Sequence, residues 1–518
     1  MNRDQSVQQL ADSAAEWDVL VIGGGATGLG TAVDAAARGY RTALLEQGDF
    51  AKGTSSRSTK LIHGGFRYLR QGNVGLVRES LRERGLLLRN APHLVRAIPF
   101  VLPAYGAWEK IFYGAGLKLY DVLAGGLGLG KTRLLSREET LRQLPTLSPA
   151  KLFGGVQYFD GQFDDARLAI CLAQTLHDHG GVAINYCPVA TLLKSNGRVC
   201  GVVARDAESG RELTLHARIV INATGVFTDA IRRLDEPAAR SLVIASQGAH
   251  IVLDRSFLPG DSALLVPKTD DGRVLFAIPW HGHVVVGTTD TLREDTPLEP
   301  RPLAAEIDFL IEHAARYLTR APGKADILSA FAGLRPLVGA GTRTSRISRE
   351  HALLVSPSGL VTIAGGKWTT YRAMAEQTVD RAETVGGWPH RPSRTRDLRL
   401  HAATDTAATR TEYGADAEKV DELLRSSPEL AEPLHPRLPY LAGEVIWTAR
   451  HEMARTVEDV LARRSRALFL DARAALEMAP PVAALLAKEL GRDAAWQQEQ
   501  LLGFRELALR YLPDESCG

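Results

Sequence analysis

The alternation of apolar and polar positions divides the chain into segments of different character. From Asp18 to Gly48, DVLVIGGG reads as an apolar strand running into a glycine turn, ATGLGTAVDAAARGY as a helix, and RTALLEQG as a second strand, a βαβ unit. Val74, Val77, Leu81 and Leu88 recur at helical spacing through residues 73–90, and Pro92 closes that segment. Ala166 to His179 predicts another helix, followed by β-rich pieces at Val199 to Arg205 and Leu213 to Asn222 that lead back to the first sheet. From His250 the pattern becomes HIVL, ALLVP, VLFAIPW and HVVVGTTD, broken by turns such as Asp270-Asp271-Gly272, which predicts an antiparallel sheet. Residues 350–372 return to strand, glycine pair and helix start. Beyond about residue 395, Ile446, Ala449, Met453, Val457 and Val460 share one helical face, and Ala474 to Met478 and Val482 to Leu490 continue in the same manner.

The predicted fold class is therefore α/β plus α. An N-terminal tail (1–17) precedes a dinucleotide-type domain (18–90, re-entered at about 150–235 and 350–390). A second, antiparallel domain is drawn from 91–149 and 240–349, and a helical domain from 395–518. A chain of 518 residues exceeds one compact core and fits about two to four domains.

Composition changes this picture only by exclusion. A 45% hydrophobic, 24% charged chain with 48 glycines is ordinary for a globular α/β protein. Its 62 Lys and Arg against 60 Asp and Glu leave a net charge of +2, so bulk attraction to nucleic acid is not indicated and any anion site is local. Cys171, Cys187, Cys200 and Cys517 lack metal-ligand or CxxC spacing, no metal site is expected, and so few thiols suit a reducing compartment. The first sixteen residues lack the apolar core of a signal peptide, which predicts an intracellular protein. The stretch from Trp108 to Lys131 is the most apolar, but Lys118 and Asp121 interrupt it. Two expectations stand for it: a helical hairpin packed on its own domain, or a segment lying on a membrane surface.

Gly23, Gly25 and Gly28 form GxGxxG directly after an apolar strand, and Ala32 lets the following helix sit close to that strand. Glu46 ends the second strand, placed to accept ribose hydroxyls, while the glycines let backbone approach a pyrophosphate at a helix N-terminus. The motif suits nicotinamide and flavin dinucleotides alike. Val220-Ile221-Asn222-Ala223-Thr224-Gly225 is an apolar strand entering a small-residue turn, suited to approach the same ligand from a returning strand.

The stretch Gly53-Thr54-Ser55-Ser56-Arg57-Ser58-Thr59-Lys60-Leu61-Ile62-His63-Gly64-Gly65-Phe66-Arg67-Tyr68-Leu69 is too particular for a generic loop. Together with Phe163-Asp164-Asp165-Ala166-Arg167-Leu168, Gly248-Ala249-His250-Ile251-Val252, Gly287-Thr288-Thr289-Asp290, Gly333-Leu334-Arg335-Pro336-Leu337, Ile347-Ser348-Arg349 and Gly365-Gly366-Lys367-Trp368-Thr369-Thr370-Tyr371-Arg372, it resembles the FAD-dependent glycerol-3-phosphate dehydrogenase family, close to the aerobic bacterial form. The resemblance covers nearly the whole chain. It departs at Phe66 and Trp368, where leucine is common.

The resemblance implies a glutathione-reductase-like FAD-binding Rossmann domain, a D-amino-acid-oxidase-like substrate domain and a helical C-terminal domain. It also implies oxidation of glycerol 3-phosphate to dihydroxyacetone phosphate, electrons passed to a membrane quinone, peripheral attachment to the cytoplasmic face of the membrane, and a homodimer. The insertion frequent in oxidase-type relatives is missing, which favours dehydrogenase over an oxidase that reduces O2. A flavin-containing binding scaffold is a third possibility.

Site residues follow on the same footing. Thr54, Ser55, Ser56, Val189, Ala223, Gly225, Gly365, Gly366, Lys367, Trp368 and Thr369 are expected at the cofactor, besides the glycine turn and Glu46. Arg335 and Arg349 match substrate positions and Arg67 with Tyr68 another pair near the flavin, since a phosphate with a second pKa near 6 calls for charge-assisted partners. A base must take the proton of the C2 hydroxyl, and His250 and His63 both occupy family motifs. Lys367 can steady reduced flavin or hold substrate. Asp164 and Asp165 are expected to cap the helix that starts at Ala166, and the arginines from Arg450 to Arg466 to form a solvated or interdomain face.

Overall fold

The computed structural model describes residues 1–12, 16–65, 69, 73–267, 269, 272–339, 351–406 and 410–513. Its first sheet has eight strands, six of them in the order His351–Val355, Val361–Gly365, Glu212–Asn222, Trp17–Ile22, Thr42–Leu45, Val182–Ile184. The central pairings are parallel, and Trp17–Ile22 and Thr42–Leu45 are buried at nearly every position, as expected of strands covered on both faces. The helix Ala26–Ala37 lies between the strands it connects and the helices Asp165–Asp178 and Tyr371–Gly386. Its small side chains permit this, and a Cβ at Gly30 would strike the Tyr371 ring at 2.6 Å.

The second sheet has ten strands. Val243–Asp254 is its long central member, paired antiparallel with His283–Gly287 and Ile327–Val338. Alternation along it splits two cores: Ile251 and Leu253 face the helix Ala304–Tyr317, whereas Val252 packs with Trp280, Val285 and Phe331 against the C-terminal helices. One pairing in this sheet, Ala263–Val266 with Val95–Ala104, is parallel.

The predicted βαβ unit and the helices near 73–90 and 166–179 are found at Trp17–Leu45, Val74–Asn90 and Asp165–Asp178. Asp164 caps the last of these, accepting from the N–H groups of Ala166 and Arg167. Two expectations are corrected. The chain does not return to the first sheet at about residue 150: Gly154–Phe163 pairs along ten residues with Val95–Ala104 in the second sheet, and Leu61–Ile62 extends that sheet's edge. Gly154–Phe163 is buried almost throughout, so it lacks the polar alternation that would have marked its sheet. The stretch from Trp108 to Lys131 is not a helical hairpin but one helix, Ala107–Ala124, ending in a short 3-10 turn. Tyr113, Leu117 and Tyr120 on its inner face pack on Phe100, Leu102 and Tyr158. No helix among the described residues is long and apolar enough to cross a membrane.

Helices from Ala417–Ser426 to Ala494–Leu509 form the C-terminal part. The arginines of the Asp459–Arg464 π-helical turn and its flank are buried against the rest of the chain. Asp49, just beyond the second strand, accepts from Arg463 at 2.5 Å and Arg464 at 2.6 Å, and Arg463 also meets Glu458 and Asp459. Arg167 pairs with Glu452 at 2.5 Å. Burial works against the Asp49 charge, but the Arg464 and Arg463 guanidinium groups overcome it and hold the carboxyl well below the usual range. Removing Asp49 takes a carboxylate from both buried arginines and leaves Arg463 to Glu458 and Asp459 and Arg464 to the Glu452 carbonyl. Asp49→Ala is expected to cost about 3–5 kcal/mol, read as a lower denaturant midpoint of unfolding.

Candidate active site

The glycine turn is built by contact rather than by propensity alone. Gly23 has φ +112°, and a Cβ there would meet the Ala223 carbonyl oxygen at 2.6 Å, while a Cβ at Gly28 would collide with the carbonyl oxygen of Gly23. First strand, returning strand and helix thus converge with no side chain between them. Gly25 is the N-cap of the helix Ala26–Ala37 and has no side-chain cap bond of its own. Instead the Ser55 hydroxyl accepts from Ala26 N–H at 2.9 Å. Glu46 accepts from the N–H groups of Gly24 at 2.6 Å and Gly48 at 2.8 Å, and burial raises its pKa despite them.

A cavity of about 700 Å3 opens from this turn and runs between the two sheets. Gly23, Gly25, Glu46, Thr54, Ser55, Val189, Ala223, Gly225, Gly365, Gly366, Lys367, Trp368 and Thr369 all line it, as do His63, His250 and Arg335. Two expected cofactor residues do not. Gly28 lies beneath the turn, and Ser56 faces inward, its carbonyl accepting from Lys60 Nζ at 2.8 Å and from Arg466 at 2.9 Å. Arg67, Tyr68 and Arg349 lie outside the described residues.

The wall opposite the glycine turn comes from the second sheet. Arg335, on Ile327–Val338, is held over the neighbouring segment by Thr288 Oγ1 at 2.9 Å and the Thr289 carbonyl at 3.1 Å, with Asp290 at 3.7 Å. His250 is only 2% exposed. Its ring stacks on Phe331 at 4.8 Å, and Gly287 on the paired strand leaves room where any Cβ would collide with the imidazole. Burial, Lys60 and Arg335, in that order, push its pKa well below 6.5, so the ring is neutral. His63 also borders the cavity, its backbone N–H donating to Thr369 Oγ1 at 3.3 Å. Trp368 Nε1 donates to the Ser55 carbonyl at 2.8 Å, joining the last turn to the first.

Behind His250 lies a group of charges that the sequence did not bring together. Lys60 pairs with Asp165 at 2.7 Å, Arg466 reaches the same carboxylate at 3.1 Å, and Phe331 and Phe469 flank the ammonium at 5.2 Å. Burial first, then Arg466, brings the Lys60 pKa down to about 7 against the pull of Asp165. Lys60 and Asp165 each stood in a motif and Arg466 in an arginine-rich run, but nothing in the sequence joined them, because Asp165 lies 105 positions further along the chain and Arg466 another 301 beyond it.

The arrangement fits a dinucleotide flavin: a side-chain-free turn at a helix N-terminus for a pyrophosphate, a carboxylate at the second strand, and a far end lined by a neutral imidazole and cations. Residues 18–381 match the FAD dependent oxidoreductase family, and residues 360–499 match the C-terminal domain of alpha-glycerophosphate oxidase. The mitochondrial glycerol-3-phosphate dehydrogenase of Macaca fascicularis is 40% identical over 94% of this chain and 72% of its own length. Its counterpart in Saccharomyces cerevisiae is 36% identical over 94% of this chain and 89% of its own. The solved glycerol-3-phosphate dehydrogenase from Bacillus halodurans complexed with FAD matches with a TM-score of 0.81 at 30% identity, over 98% of this chain and 97% of that one. L-alpha-glycerophosphate oxidase from Mycoplasma pneumoniae, at 18% identity and a TM-score of 0.58, shares the fold. FAD is accordingly the cofactor, and Gly28→Val, which places a branched side chain against the Gly23 carbonyl, is expected to yield folded protein without the yellow flavin colour, checked by absorption of the purified chain.

Proposed function

This chain belongs to the FAD-dependent glycerol-3-phosphate dehydrogenase family, and from that premise we propose that it oxidises sn-glycerol 3-phosphate to dihydroxyacetone phosphate and hands the electrons to a membrane quinone. The observation that carries this is the cavity joining the glycine turn to His250, Arg335 and Lys367. Bound FAD supplies the acceptor for the two electrons of the C2–H bond. The chain supplies the rest. Arg335 and Lys367 present positive charge where a phosphate dianion must be desolvated, and Arg67, Tyr68 and Arg349 are assigned to the same task from their motifs. His250, neutral in the resting site, takes up the hydroxyl proton. His63, at the cavity edge, is assigned to orientation beside the flavin. Dehydrogenase is preferred to oxidase because the relatives of high identity over nearly the whole chain are dehydrogenases, whereas the oxidase likeness lies in the C-terminal domain and in the fold.

Anaerobic addition of glycerol 3-phosphate is expected to bleach the flavin, and a quinone analogue to restore its colour; peroxide formed in air at the rate of turnover would select the oxidase instead. Arg335→Ala is expected to raise the substrate concentration needed for bleaching by about one to two decades with FAD retained, since a charge-assisted hydrogen bond contributes about 1.5–3 kcal/mol.

Attachment to a membrane is assigned to the outer face of Ala107–Ala124. Trp108 is 77% exposed and Val122 75%, and Ile111, Phe112 and Leu119 stand beside them. Soluble surfaces rarely leave such a stripe uncovered. Exposed Lys118, Lys131 and Arg133 nearby suit anionic headgroups. Each large apolar side chain gains up to about 1.5–3 kcal/mol on full burial, so the double variant Trp108→Glu, Val122→Glu is expected to abolish co-sedimentation with phosphatidylglycerol vesicles while the flavin still bleaches with substrate.

A further inference from the structure

His250 does not meet the cavity alone. Thr59 lines the same wall, is half-buried rather than buried, and places its Oγ1 3.0 Å from His250 Nε2. Its neighbours are committed elsewhere: the Ser58 hydroxyl donates to Asp165 at 2.7 Å and accepts from Lys60 N–H, and Lys60 Nζ is spent on Asp165 and the Ser56 carbonyl. Among the described residues, the partner of the Thr59 hydroxyl is His250. His250 Nδ1 is buried and has no hydrogen-bond partner among them. Phe331 lies on its ring and Gly287 lies against Cδ2 and Nε2, so the imidazole is packed on a face and along an edge, with Nε2 towards Thr59. The hydroxyl therefore has freer access to a bound substrate than the ring behind it.

We propose that Thr59 is a catalytic residue, the hydroxyl through which the proton of the substrate's C2–OH reaches His250. This rests on the reading of His250 as the base. In the step, the C2–H bond breaks and its electron pair leaves as hydride to the flavin. The substrate O–H bond breaks as C2–O becomes a carbonyl. That proton bonds to Thr59 Oγ1, whose own proton bonds to His250 Nε2, so the threonine ends unchanged and the histidine becomes an imidazolium. The resting tautomer must then carry its proton on Nδ1 and accept from Thr59 at Nε2. With both ring nitrogens assigned in this way, the half-reaction needs no further acid or base from the chain.

The test compares Thr59→Val, Thr59→Ser, His250→Gln and the double variant Thr59→Val, His250→Gln as holoenzymes, by anaerobic single-turnover reduction with glycerol 3-phosphate across pH. Relay through the hydroxyl predicts that Thr59→Val slows reduction by about 10²-fold or more at unchanged substrate affinity, that Thr59→Ser stays close to the parent, and that the double variant is no slower than His250→Gln. Nitrogen-15 NMR of the resting parent is expected to place the His250 proton on Nδ1. Thr59→Ala replaces the valine variant if that one fails to retain FAD. Reduction at the parent rate in Thr59→Val while His250→Gln is slow, multiplying effects in the double variant, or a resting proton on Nε2 would each overturn the relay and leave the base standing. Reduction at the parent rate in His250→Gln would overturn the assignment of the base itself.

Discussion

The approach of the Gly28 backbone to the carbonyl of Gly23 sets the geometry on which everything else in the molecule builds. It brings the helix Ala26–Ala37 down onto the first strand, and the same turn is closed from the other side by Ala223 at the end of the returning strand. Three elements far apart in sequence thus end at one point, with backbone exposed and no side chain in between. The positive end of a helix and the crevice at the carboxyl ends of parallel strands then coincide, which is where a dinucleotide can be held.

The second sheet acts on that point from across a cavity. Its central strand alternates, and the alternation assigns Ile251 and Leu253 to one core and Val252 to the other. His250 shares the face of Val252 and stacks on Phe331, so the imidazole is fixed by the packing that joins the sheet to the C-terminal helices. Those helices are fastened in turn by buried charges, with Asp49 receiving Arg463 and Arg464, and Asp165 receiving Lys60 and Arg466. Asp49 lies just past the second strand and Asp165 opens the helix behind the cavity, so the C-terminal arginines bear on the glycine-turn wall and on the wall that carries His250 alike.

Electrostatics at the two walls differ in kind. At the cofactor end a carboxylate is held by two backbone N–H groups, which orient it and leave its outer side to the cavity. At the far end of the cavity burial and the nearby cations Lys60 and Arg335 keep the His250 imidazole neutral. An anion held beside that ring would add negative charge next to it and ease its protonation.

The sequence by itself determined whatever depends on neighbours in the chain. The glycine turn, the strand before it and the helix after it were legible because a tight turn needs glycine at fixed spacing, and Asp164 was legible as a cap because a cap acts on the next three residues. Only the tertiary structure decided the rest. Gly154–Phe163 could not be assigned to its sheet from pattern, since burial on both faces erases alternation, and Ala107–Ala124 could not be told from a hairpin because apolar side chains stand on its outer face as well as its inner one. Arg463, Arg464 and Arg466 read equally as solvated or interdomain until carboxylates more than 300 positions away were brought to them. Thr59 and His250 are 191 positions apart, and nothing local to either announces the other. Contacts of that range are set by how sheets and helices pack, through the burial of surface that no short window of sequence contains.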